Sequence, residues 1–254
     1  QRPLTPISTS ISELNHLLNG GFVPGLTYEV SSLNGTGRIQ FTRHLCCNTL
    51  RMGKKVLWIS CAKGFQWEGL TKRLKEELLD NLRTIRIATL AQLYLYLQCV
   101  MNKEVFGLVI IEDLSIIVNK NSGDLSDIFV DQKLPPRKIE DLIELRKHKS
   151  LQEIFKLLNT YAIHNKSVVC LFNPVEPINM SFVETPNTIP QSSLPHPSSS
   201  GSFFSSQDTS RGSRPTLFHQ QVLTSALGSH ASWSSYIRAR LTLYRDWIIG
   251  HSKT

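Results

Sequence analysis

Short apolar, β-branched runs recur along this chain and alternate with stretches whose apolar residues fall three and four apart. The runs Thr27–Val30, Val56–Ser60, Thr84–Ile87, Leu108–Ile111 and Ser167–Phe172 are short and almost wholly apolar, as strands covered on both faces must be. Between them, four sets carry helical spacing: Phe41, Leu45 and Thr49; Trp67, Leu70, Leu74 and Leu78; Leu90, Leu93, Leu97 and Met101; and a longer set from Leu142 through Leu151, Ile154, Phe155 and Leu158 to Tyr161. This alternation predicts βαβ units feeding a parallel sheet. Ser10 with Glu13 three residues on reads as a capping box for an opening helix, which Gly20 and Gly21 then end.

Near the carboxyl end the period changes. Leu217–Ala226 and Trp233–Arg245 alternate apolar and polar residues, most clearly at Ile237, Ala239, Leu241 and Leu243, and predict antiparallel strands at a sheet edge. Between residues 186 and 215 half of the positions are serine or proline, a composition that cannot bury enough apolar surface to offset its ordering entropy. The expectation is a single α/β domain over residues 1–254, its mostly parallel central sheet flanked by helices, with a disordered insertion at 186–215.

Hydrophobic residues make up 41% of the 254, enough for a core of that size. No apolar run approaches the roughly 18 residues of a membrane helix, and the opening residues lack the basic-then-apolar order of a secretory signal. Cys46, Cys47, Cys61, Cys99 and Cys170 sit in apolar surroundings without C-x-x-C spacing, which predicts buried reduced thiols inside a cell. The net charge of +8 is compatible with a polyanionic partner but does not by itself separate that from solubility.

One stretch carries candidate chemistry. Ser31–Phe41, SSLNGTGRIQF, lies between a predicted strand and a predicted helix and nearly matches the phosphate-binding pattern G-x-x-x-x-G-K-[ST]. Gly37 fits, but Ser32 replaces the first glycine, Arg38 the lysine and Ile39 the hydroxyl residue that would hold magnesium. Gly35, Thr36, Gly37 and Arg38 are therefore candidates for a vestigial phosphate loop. Glu112 and Asp113, closing the run LVIIED, are placed to reach a magnesium-bound water only if magnesium binds.

The order of segments ISTSISELNHLLNGGFVPGLTYEVSSLNGTGRIQFTRHL, KKVLWIS, LRTIRIATLAQLYLYL, FGLVIIED and SVVCLFNPV, closed by TSALGSHASWSSYIRARLTLYRDW, resembles the RecA-like eukaryotic recombinases and their paralogues. The IRI-x-x-x-x-QL segment and the closing RDW are most similar to the smaller subunit of the fungal recombinase-paralogue heterodimer. The resemblance implies a RecA-like core and a nuclear recombination mediator that pairs with a second paralogue subunit. It also implies help to recombinase filaments on single-stranded DNA, with DNA met through the complex and no membrane. Where active members carry a water-activating acid after the second strand, this chain has Ser60-Cys61-Ala62-Lys63. With Ala62 there and Arg38 and Ile39 in the loop, no catalytic residue is expected, no cofactor is required, and ATP is expected at most to bind weakly without hydrolysis. The competing expectation is an active DNA-dependent ATPase whose divergent loop a partner subunit completes.

For contact with DNA or a partner, the densest basic stretch supplies Arg137, Lys138, Arg146 and Lys147, although interleaved acids also fit a solvated helix face. The Ser/Pro-rich segment offers only Arg211 and Arg214 with Phe203 and Phe204. Phe65 and Trp67 fall where the family meets a neighbouring subunit, whereas Trp233 is expected in the core.

Overall fold

The computed structural model describes residues 4–62, 64, 70, 74, 76–130, 135–183 and 217–244. In chain order the described elements are α1 (Ser12–Leu17), β1 (Thr27–Ser32), α2 (Arg38–Arg51), β2 (Val56–Ser60), α3 (Glu76–Leu79) and β3 (Leu82–Arg86). Next come α4 (Leu90–Cys99), a 3₁₀ turn (Met101–Lys103), β4 (Leu108–Glu112), α5 (Leu114–Val130) and α6 (Pro136–Asn165). The chain closes with β5 (Val168–Val183), β6 (Leu217–Ser225), α7 (Ala231–Ser234) and β7 (Ile237–Leu243). Two compact units follow from this path, residues 1–176 with 224–254, and residues 177–223. The second contains the outer length of β5 and most of β6, and the Ser/Pro-rich 186–215 lies outside the described residues.

The sheet runs β3-β2-β4-β5-β1-β7, with β6 paired to β5. Every neighbouring pair along that row is parallel. Alternation within the buried strands divides the core in two. Leu57, Ile59, Val109, Ile111, Val169 and Leu171 face one side, where α4, α5 and α6 supply Leu93, Ile117 and Phe155. Val56, Trp58, Leu108, Ile110, Cys170 and Phe172 face the other, against Phe41 and Leu45 of α2 with Ile7 and Phe22. This two-sided burial is why the strands read as unbroken apolar runs.

Four expectations change. The edge strand β7 is parallel to β1, not antiparallel, because period-two alternation reports one covered face and carries no direction. Trp233 belongs to α7 rather than to that strand: His230 Nδ1 accepts the Ser232 N–H, and the indole is buried against Phe155, rings 5.2 Å apart. Ser10 does not cap α1. It sits at φ +64°, and Glu13 accepts instead from the Ser12 hydroxyl, while Thr9 Oγ1 accepts the Ile11 N–H. Finally, Cys99 is exposed where Cys46, Cys47, Cys61 and Cys170 are buried. Among the described residues, no helix is long and apolar enough to cross a membrane.

Candidate functional site

In a parallel α/β sheet, ligands are met beyond the carboxyl ends of the strands. Here that edge gathers Ser32 of β1, Ser60 of β2 and Glu112 of β4. Ser60 stands in register with Glu112, and Glu112 with Phe172. From Ser32 the chain turns through Leu33–Gly37 into α2. Gly37 occupies the N-cap position in the left-handed region at φ +95°, a conformation an L side chain adopts only at a cost. Residues Ser32–Gln40 line an open depression of about 330 Å³. Strand, loop and helix are thus those of a phosphate cradle.

The side chains have other occupations. Thr36 Oγ1 donates to the Leu33 carbonyl at 2.8 Å, which fastens the loop to itself. Ile39 is 41% exposed and offers no oxygen. Arg38, at the N-terminus of α2, places a cation where the helix dipole is already positive. Its guanidinium lies 3.0 Å from a carboxylate oxygen of Asp113, which supplies the negative charge, and both side chains are largely enclosed. Among the described residues that Arg38 nitrogen has no aligned hydrogen bond, so the contact is an ion pair held by proximity. Sequence reasoning put Arg38 with a phosphate and Asp113 with a metal; the fold puts them with each other.

Glu112 is likewise engaged. Its Oε2 accepts the Trp58 Nε1–H at 2.9 Å, and burial raises its carboxyl above the ordinary value, with Asp113 adding to the rise and the Trp58 bond opposing it. Beside them, burial pushes the Cys61 thiol up to about 12, leaving no thiolate or carboxylate in that segment before Ala62. The donor set does not fit magnesium: position 39 lacks an oxygen, Asp113 is paired with Arg38, and Glu112 resists ionisation. Among the described residues no cluster of three or more acids, histidines or cysteines is arranged for a metal. A phosphate meeting this loop would find backbone N–H groups and an arginine already neutralised.

Glu112 gives a pH-dependent test. A folded-state pKa above the unfolded one adds stability that is fully present below the ordinary carboxylate value and is lost as pH rises through the folded pKa. Glutamine keeps an acceptor for Trp58 but does not titrate. Glu112→Gln should therefore match the parent near pH 4 and melt about 2–4 °C above it near pH 8. A constant difference across that range in differential scanning calorimetry would contradict this account.

Of the remaining candidates, those among the described residues do not line the loop's depression. Arg137 and Lys138 are exposed in the first turn of α6. Arg146 and Lys147 lie roughly 13 Å further along the axis, and Lys147 pairs with Glu144 at 3.2 Å. The four do not form one cationic patch. Moreover, the segment that follows LVIIED is the helix α5. Phe65, Trp67, Phe203, Phe204, Arg211 and Arg214 lie outside the described residues.

Local patterns miss a further polar set. Glu29, fully buried in β1, approaches Arg240 of β7 at 3.0 Å. Its other oxygen accepts from Asn173 Nδ2 and Ser225 Oγ. Asn173 Oδ1 in turn accepts the Ser115 N–H at the start of α5. No spacing rule links residues 144 to 211 positions apart, and the acid in TYEV was the only available signal.

Fold and edge define an α/β protein with a mostly parallel central sheet and a strand-to-helix loop at the carboxyl end of β1, here with Thr36 and Arg38 of that loop engaged internally. The chain is 25% identical, over 257 aligned positions, to the DNA repair protein RAD55 of Saccharomyces cerevisiae, with 95% of this chain and 61% of that protein covered. It spans about three-fifths of that relative's length. This similarity supports the recombinase-paralogue family that the order of motifs resembles. No protein-family model matches the chain.

Proposed function

We propose that the protein is a non-catalytic recombinase-paralogue subunit acting in homologous recombination and double-strand break repair in the nucleus. It pairs with a second paralogue subunit and stabilises recombinase filaments on single-stranded DNA, meeting DNA through that complex. The observation that carries the reading is the Arg38–Asp113 ion pair, which engages the loop's cation beside an Ile39 that has no metal-ligating oxygen. Ala62, where a water-activating acid would stand, supports it. The similarity to a DNA repair protein supports the biological setting. Catalytic groups that act together leave little rate when several are missing.

The test is ATP turnover by the purified chain with magnesium and single-stranded DNA present. We expect a rate at the no-protein background, unchanged by Arg38→Ala. A rate above background that collapses in Arg38→Ala would overturn the reading. Co-purification from the native cell should return a second subunit with an intact phosphate loop; loss of that subunit at moderate salt would argue against a stable heterodimer.

A further inference from the structure

A groove of about 430 Å³ lies at the opposite end of the sheet from the phosphate loop. Its lining comes from segments that precede strands: Leu4 and Pro24 before β1, Lys54 before β2, Val105 and Phe106 before β4, and Lys166 before β5. The phosphate loop follows β1. Because these strands are parallel, an occupant of one end leaves the other open.

The groove combines exposed aliphatic surface with uncompensated positive charge. Val105 is 60% exposed and Leu4 43%. No acid lines it. Lys55, on the rim, is neutralised by Glu104, which also approaches Arg83. Lys54 and Lys166 form no ion pair among the described residues. Lys54 is held by shape: its methylene stem lies over Gly107, where a Cβ would come within 2.7 Å of two of its carbons. The ammonium is thus presented at the rim while the stem extends the apolar floor. The wall is fixed as well. Phe106 N–H donates to Tyr161 Oη at 2.8 Å, its carbonyl accepts from Ser167 Oγ, and Tyr161 Oη donates to the Glu104 carbonyl.

We infer that this groove docks an acidic peptide segment of a protein partner, seating an aliphatic side chain on Val105 and Leu4 with flanking carboxylates on Lys54 and Lys166. Charge complementarity selects the acidic partner, and the aliphatic floor selects a peptide over a nucleic acid. Single strands are held by exposed aromatic platforms, and the only aromatic residue in this lining, Phe106, is 2% exposed. The inference does not depend on the state of the phosphate loop, and its failure would leave the ATP turnover result untouched.

A random peptide library displayed on phage is panned against the whole 254-residue chain, and enriched peptides are synthesised with a fluorescent label for anisotropy. We expect sequences with acids flanking Leu, Ile or Val. Their affinity should fall at least ~10-fold with Lys54→Glu combined with Lys166→Asn, and again with Val105→Asp. Asparagine is chosen at 166 because that position is left-handed, at φ +51°. Unchanged melting temperatures certify the fold of these surface variants. Failure to enrich any peptide, enrichment without acids, or affinity indifferent to all three substitutions would overturn the inference. So would a labelled oligo-dT that binds and is released by the same substitutions, or self-association of the chain that Lys54→Glu abolishes.

Discussion

Arg240→Ala is expected to destabilise the protein by about 3–5 kcal/mol, because it leaves a buried carboxylate without its counter-charge. Glu29 is fully buried in β1, with β5 on one side and the edge strand β7 on the other. Its Oε1 is satisfied by Asn173 and Ser225, whereas its Oε2 meets, among the described residues, the guanidinium 3.0 Å away and no aligned hydrogen bond. Arg240 is in turn positioned by the Trp233 ring 5.3 Å below it and by a bond from Nη2 to Ser234 Oγ. The expected fall in melting temperature is on the order of 10 °C. Glu29→Gln should cost less, because Arg240 keeps 31% of its side chain in water and can be hydrated there. The double variant should recover much of the loss seen in Arg240→Ala. Equal stability of Arg240→Ala and the parent would contradict this account of the pair.

That pair also marks the limit of reading the sequence. Strand positions were legible because two-sided burial writes itself locally: Val56–Ser60 is the same in pattern and structure, and Leu108–Ile111 extends by only one residue. The longest helix was legible because Leu151, Ile154, Phe155, Leu158 and Tyr161 keep one buried face over three turns. By contrast, α5 hid behind β-branched residues and Gly123, which are weak helix formers, although Leu114, Ile117 and Val118 are buried on one side. The direction of β7 was not legible, since parallel and antiparallel edges share the same alternation. Within the site, Gly37, Arg38 and Asp113 were each singled out for good chemical reasons. The Arg38–Asp113 pairing was beyond local rules, because 75 residues and three strands of topology decide which side chains share a space. The same contact turns a loop that looked like an incomplete ATP site into a strand-to-helix joint with its own internal counter-ion.

The joint depends on a glycine whose reason also differs from the one its neighbours suggest. After ISELNHLLN, Gly20 and Gly21 read as a helix stop. Gly21, at φ +129°, answers to a tighter constraint: a Cβ there would lie 2.2 Å from the Ile7 carbonyl oxygen and 2.8 Å from its carbon. Ile7 and Phe22 exchange both backbone hydrogen bonds across this contact, at 2.8 and 2.9 Å, and both side chains are fully buried. Phe22 then stacks on Tyr28 of β1, centroids 4.4 Å apart, and meets Phe41 of α2 edge-on at 6.3 Å. Those two elements hold the ends of the loop Leu33–Gly37, so the bridge supports that loop from beneath. Gly21→Ala must either open the bridge or strain the backbone, and we expect a loss of at least about 3 kcal/mol in urea unfolding. Gly35→Ala is the comparison. Gly35 also has a left-handed φ, +78°, but among the described residues nothing beyond its chain neighbours lies within 4 Å of its missing Cβ, so only the conformational cost of about 1–2 kcal/mol applies. Limited proteolysis should cut the first 22 residues of Gly21→Ala sooner than those of Gly35→Ala. Equal losses in the two variants would mean that Gly21 is kept for its torsion alone, and that the approach of residue 7 can relax without disturbing the joint.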